Sequence, residues 1–248
     1  MLELLSFDVA ILLCGTLAAA FVTGLSGFAF GMVAAAIWVY ALPPPQASAL
    51  IAAYALLVQG YAVWKLRHLL DLHRLMPFIV GSALGIPVGI VGLRWASPVH
   101  FRIGVGLLLM LFSLYNLARP KLPEMKRAGR GADTAVGVLN GVIGGATGLA
   151  GIVTVIWTGM RGWSRDEQRA VFQPTGVASF LMIIAAFGGI GLITFDTVRL
   201  FLFGLPALLV GTWLGWMLYG KLDEGAFRKV VLVLLLVSGV TLVASAWR

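Results

Sequence analysis

Apolar stretches separated by short polar loops run the whole length of the chain. Six of them, at about 46–64, 76–94, 99–118, 170–193, 198–219 and 227–247, lie near the roughly 20 residues that a helix needs to cross a bilayer. Two others, roughly 8–42 and 134–160, are interrupted by glycine. The first of these is too long for one span and too short for two comfortable ones, so a break or a re-entrant turn is expected in each. The pattern predicts an all-α polytopic membrane protein. Residues 1–20 resemble a signal peptide in their apolar core, but their only charges are Glu3 and Asp8, so they are expected to stay as the first membrane segment.

The stretches fall into two similar sets. Asp71-Leu72-His73-Arg74-Leu75 returns as Asp196-Thr197-Val198-Arg199-Leu200. Gly85, Gly89, Phe101 and Arg102 return as Gly211, Gly215, Phe227 and Arg228, at an offset of 126. Gly24, Gly27 and Gly31 match Gly141, Gly144 and Gly148 at an offset of 117. The three matches keep one order in both halves, which predicts a first repeat over 1–118, a basic polar linker over 119–133 and a second repeat over 134–248. Each repeat is expected to hold one glycine-broken hairpin and three crossings, and the alternative is eight simple transmembrane helices.

Charge bears on topology. The chain carries 18 Lys and Arg against 10 Asp and Glu, and 11% of it is charged while 60% is hydrophobic. The cations sit in short loops beside apolar runs, so no extended basic face exists to follow nucleic acid. With eight simple crossings and the amino terminus inside, 10 of the 18 lie on the cytoplasmic side. With two re-entrant hairpins and the amino terminus outside, 14 of the 18 do. Lys and Arg favour cytoplasmic loops, so the second scheme, in which the two repeats are inverted, is preferred.

Matched helix breaks in two halves point to a transporter's binding site. Here they are placed at Gly24 to Gly31 and Gly141 to Gly151. Glycine permits close approach of backbone to ligand, and a half-helix restarting after a turn aims N–H groups at an anion. Gly24, Gly27, Gly31, Gly141, Gly144, Gly145 and Gly148 are therefore candidate substrate-binding residues, with Ser26 and Thr147 as hydroxyl donors and Asn140 as an amide. Arg169 and Gln173 complete the set, and the competing reading for each is helix packing or interface anchoring. Gly81, Gly85, Gly89, Gly211 and Gly215 are expected to be helix contact surfaces. Aspartate and glutamate are absent from the centres of the predicted spans, which disfavours a carboxylate proton relay and cation cargo. Cys14 is the single cysteine and the histidines lack ligand spacing, so neither a metal nor a cofactor is called for.

With these residues placed, the chain resembles the sulfite exporter TauE/SafE family of membrane permeases. The likeness rests on the glycine clusters Gly24 to Gly31 and Gly144 to Gly151, on Arg169-Ala170, and on Gly211-Thr212-Trp213-Leu214-Gly215 followed by Phe227-Arg228. Ile152 stands where relatives often carry proline. The resemblance implies movement of sulfite, sulfonates or sulfoacetate.

The expected function is that of a secondary transporter or facilitator of a small sulfur-containing or organic anion across a bacterial-type inner membrane. The expected partners are the anion and the bilayer, with a homodimer also compatible. A non-transporting scaffold is the alternative. A membrane-embedded enzyme ranks lower, because no nucleophile, metal cluster or acid–base pair shares one depth.

Overall fold

The computed structural model describes residues 2–26, 29–66, 70–118, 125, 128–219, 221 and 223–245. Ten helices account for nearly all of them: α1 (Leu2–Ser26), α2 (Phe30–Trp38), α3 (Pro44–Leu66), α4 (Leu72–Trp95), α5 (Pro98–Ala118), α6 (Arg130–Thr147), α7 (Ile152–Met160), α8 (Arg165–Gly189), α9 (Phe195–Leu218) and α10 (Glu224–Ser245). No strand occurs among the described residues. Five stretches, Leu72–Trp95, Pro98–Ala118, Asp166–Gly189, Phe195–Leu218 and Gly225–Ser245, are long and apolar enough to cross a bilayer, as a multi-pass membrane protein requires. The helices α2 and α7 differ in kind. At nine residues each they rise about 13.5 Å, less than half of a hydrocarbon core about 30 Å thick. Each is too short to cross alone, and the described residues form ten helices.

The chain folds as two compact units, and each takes helices from both halves of the sequence. The first comprises Met1–Ala47, Ala96–Pro120 and Ile193–Arg248, and so contains α1, α2, α5, α9 and α10. The second comprises Ser48–Trp95 and Lys121–Leu192, with α4, α6, α7, α8 and all of α3 from Ser48 onward.

In the first unit α1 lies along α9. A Cβ on Gly211 would stand 2.6 Å from the Leu17 carbonyl oxygen, and one on Gly215 would stand 2.5 Å from that of Phe21. The two backbones touch because these positions carry no side chain, the usual device for close helix pairs in lipid. A second close crossing joins α5 to α10, where Cβ atoms on Gly106 and Gly239 would each run into the other's carbonyl at 2.9 and 2.7 Å. The Arg228 guanidinium donates to Asn116 Oδ1 at 2.8 Å and ties the start of α10 to the end of α5. The fully buried Trp38 ring covers Gly15, so α2 turns back along α1. Cys14, beside that contact, is exposed.

In the second unit α6 lies along α4 by the same device, used reciprocally. Gly81, Gly85 and Gly89 of α4 abut the carbonyls of Thr134, Val138 and Val142. Gly137, Gly141 and Gly145 of α6 abut those of Phe78, Ser82 and Ile86. A spacing of four residues sets each trio on one helix face. The contact role expected for Gly81, Gly85, Gly89, Gly211 and Gly215 is what the packing shows.

These contacts also fix how the two broken hairpins correspond. Gly85 meets the Val138 carbonyl and the Val142 nitrogen, whereas Gly211 meets those of Leu17 and Phe21, which places α1 and α6 in register at an offset of 121. The offset of 117 expected from the glycines is four residues off. After a slip of one helical turn Gly24 and Gly27 still fall on glycines, Gly145 and Gly148, while Gly31 falls on Ile152, so the glycine pattern favours 117 although the packing sets 121.

Candidate functional site

The break between α6 and α7 is built by two glycines in the left-handed region. Gly148 closes α6 at φ 75°, its N–H donating to the Gly144 carbonyl at 2.7 Å, as helix-terminating glycines do. Gly151 precedes α7 at φ 109°. Four residues, 148–151, therefore separate the two helices. This is narrower than the expected break from Gly141 to Gly151: Gly141, Gly144 and Gly145 are helical, and Gly141 and Gly145 belong to the seam with α4. Glycine density marked the region, and close helix packing accounts for the part that does not break.

Asn140 holds the break in shape. Its Oδ1 accepts the Gly151 N–H at 2.6 Å, and its Nδ2 donates to Ser82 Oγ at 3.3 Å and Ser179 Oγ at 3.4 Å. One buried amide thus joins α4, α6, α8 and the start of α7, with both ends of its side chain engaged. Thr147 returns its hydroxyl to the Ile143 carbonyl at 2.7 Å and accepts the Leu149 N–H at 3.2 Å. Both side chains stabilise irregular backbone, which must find partners wherever water is scarce.

The geometry beyond the break makes α6 and α7 an antiparallel hairpin. Gly151 is bonded to Asn140 and, six residues later, Trp157 is bonded to Asp133, seven residues earlier than Asn140. Chain order is reversed between the two bonds. The far end closes on the near one: Met125 donates its N–H to the Met160 carbonyl at 2.8 Å. The hairpin therefore enters and returns at the same end.

The N-terminus of α7 has no side-chain cap, since its N-cap is glycine. Its first-turn N–H groups and its positive dipole end are the chemistry that suits negative charge. Ser48 of α3 lies against Gly148, its carbonyl oxygen 2.5 Å from where a Cβ would be. Its fully buried hydroxyl has no hydrogen-bond partner among the described residues. Gln173 of α8 is 8% exposed, with its Oε1 likewise unpartnered. One turn along α8 the Gln59 amide lies over Gly176, 2.8 Å from the position of a Cβ. Arg169 is exposed on α8.

The other break is the counterpart in shape. The helix α1 ends at Ser26 and α2 begins at Phe30, with Ala29 at φ 78° as its N-cap. The left-handed Ala29 corresponds to the left-handed Gly151, and the nine-residue α2 to the nine-residue α7, at an offset of 122. Gly24 is not in the break but in α1, against Thr212 and Gly215 of α9. Gly31 is the second residue of α2. Gly27 and Phe28 lie outside the described residues.

A cluster that the sequence did not single out closes the α6–α7 hairpin. Asp133, 7% exposed, accepts the Trp157 indole N–H at 2.7 Å and pairs with the Arg161 guanidinium at 3.5 Å. Arg161 also donates to the carbonyls of Ala128 at 2.6 Å and Met125 at 3.0 Å. The guanidinium groups of Arg161 and Arg74 lie 5.1 and 5.5 Å from the Trp163 ring centroid, and Arg74 pairs with Glu167 at 3.0 Å. In sequence, Asp133 and Arg161 are ordinary loop charges at opposite ends of an apolar run. Their separation of 28 residues matches a hairpin that returns to its start, the one signal that could have joined them.

No curated protein and no solved structure matches the chain. The family model described as Sulfite exporter TauE/SafE matches residues 11–242, nearly the whole length and both breaks. The chain belongs to the sulfite exporter TauE/SafE family, a family of membrane transporters.

Proposed function

We propose that the chain moves a small sulfur-containing or organic anion, of the sulfite, sulfonate or sulfoacetate class, across a bacterial-type cytoplasmic membrane, with the glycine breaks as its binding elements. The observation that carries this reading is the uncapped N-terminus of α7 beside two left-handed glycines. Backbone N–H groups select for negative charge without a titrating side chain, and a desolvated oxyanion gains most from such donors. Ser48 adds a hydroxyl next to Gly148. The Gln173 amide offers a carbonyl or, by a flip of the group, an NH2 to the same polar cargo. Asp133 is the single buried carboxylate among the described residues, and its charge is already paired with Arg161. This leaves the break free of the negative charge that would repel an anion.

The hairpin also supports a topology. Its return to the same end suits a re-entrant segment, and with the amino terminus outside, 14 of the 18 Lys and Arg lie in cytoplasmic loops. The two halves are then inverted repeats, each with one broken hairpin and three crossings. The family is one of transporters rather than enzymes, which agrees with this reading.

The test is flux. Purified protein in liposomes should accumulate labelled sulfite or a small sulfonate, and Gly148→Leu and Gly151→Leu should abolish uptake while insertion is retained. Normal uptake by both variants would remove the break as the site. No flux of any anion, together with specific co-purification of a partner, would favour a scaffold instead.

A further inference from the structure

The two broken hairpins share a shape but differ in what holds them. At the register fixed by the packing, Asp133 and Asn140 of α6 correspond to Leu12 and Ala19 of α1 at an offset of 121. Trp157 and Arg161 correspond to Ala35 and Val39 at 122. All four counterparts are buried, and none can donate or accept a hydrogen bond through its side chain. We infer that Asp133, Trp157 and Arg161 are positioning residues that clasp the α6–α7 hairpin shut at its open end, so that this hairpin is the fixed one and α1–α2 the yielding one.

Each part of the clasp has a definite task. The Trp157 indole joins the middle of α7 to the first turn of α6. Arg161 joins the end of α7 to Asp133 and, through the carbonyls of Met125 and Ala128, to the chain leading into α6. Asp133 is the shared acceptor. The bonds converge on one buried carboxylate, so the limbs cannot part without leaving a charge unpaired in low dielectric. Asn140 pins the other end of α7. Held at both ends, α7 keeps its uncapped N-terminus aimed in one direction. At the corresponding places α1 and α2 carry the buried apolar residues Leu12, Ala19, Ala35 and Val39, and dispersion contacts among apolar groups tolerate sliding that directional bonds do not.

Hydrogen exchange tests this without any substrate. In the wild-type protein in nanodiscs, amides of 152–160 are expected to exchange at least about tenfold more slowly than those of 30–38. Trp157→Phe removes the N–H donor alone, and Asp133→Asn with Arg161→Gln replaces the ion pair by a neutral pair of similar shape. Both changes should speed exchange in 152–160 about tenfold and leave 30–38 unchanged. Equal protection of the two segments in the wild type, unchanged exchange at 152–160, or acceleration spread evenly over all helices would each overturn the clasp. A second readout rests on the transport reading: Trp157→Phe should raise KM for the anion several-fold per inserted molecule with little change in maximal rate. Absence of flux would sink that reading and leave the exchange result standing.

Discussion

The backbone N–H of Gly151 donates to the side chain of Asn140, 2.6 Å away and eleven residues earlier in the preceding helix. That bond ties the start of a half-length helix to the body of a longer one. Asn140→Ala removes it together with the bonds to Ser82 and Ser179, whose hydroxyls keep the carbonyls of Gly137 and Thr175, and leaves the Gly151 N–H without its acceptor. The expected cost is about 1–3 kcal/mol, read as a lowered midpoint of thermal unfolding in detergent. Asn140→Ala should also weaken any anion-induced rise in that midpoint.

The glycine seam between α4 and α6 gives a prediction with its own control. A methyl group at Gly85 or Gly89 would collide with backbone, the carbonyl of Val138 or Val142, which cannot swing aside. Gly85→Ala and Gly89→Ala should each destabilise by about 1–3 kcal/mol. Gly92 of the same helix and Gly104 of α5 face open space. Gly92→Ala and Gly104→Ala should be neutral or stabilise by up to about 1 kcal/mol through helix propensity. Denaturation of the four variants side by side separates packing from propensity.

Ala29 and Gly151 occupy the same left-handed place in the two breaks, at φ 78° and 109°. A side chain there costs about 1 kcal/mol. Ala29→Gly relieves that strain and should leave stability unchanged or raise it by less than about 1 kcal/mol, the gain being offset by a freer unfolded chain. Gly151→Ala adds strain and should lower stability by about 1 kcal/mol or more. A lowered midpoint for Gly151→Ala and no lowering for Ala29→Gly are the expected result in paired melting curves.

The helix α8 starts with a capping box. Ser164 accepts the Glu167 N–H at 3.3 Å, and the Glu167 carboxylate accepts the Ser164 N–H at 2.9 Å. Ser164→Ala should cost about 1 kcal/mol in thermal unfolding. Arg74→Ala, which removes an exposed pairing with Glu167, should cost less than that.

Much of the architecture was legible in the chain. Lengths of apolar runs placed α3, α4, α5, α8, α9 and α10 to within about five residues, because hydrocarbon thickness dictates span length. The spacing of Gly81, Gly85 and Gly89 marked a contact face, since four-residue periodicity admits little else in a helix. The breaks were legible only as regions. Gly141 and Gly145 serve close packing while Gly148 and Gly151 serve the turn, and composition cannot tell these uses apart. Asn140 was singled out as an amide in the right place, but its engagement with Ser82, Ser179 and Gly151 depends on three helices meeting. Asp133 and Arg161 went unmarked because each looks solvated in its own loop. Only the return of α7 brings them together.

Cys14 bears on how the protein can be observed. It is the only thiol in the chain, it is exposed, and it adjoins Gly15, over which the Trp38 ring lies. A bilayer-soluble spin label or fluorophore would therefore mark one defined place without a change of sequence, on the very helix against which α2 rests. The unmodified chain thus offers a native vantage point from which spectroscopy can follow the apolar hairpin through a cycle of turnover.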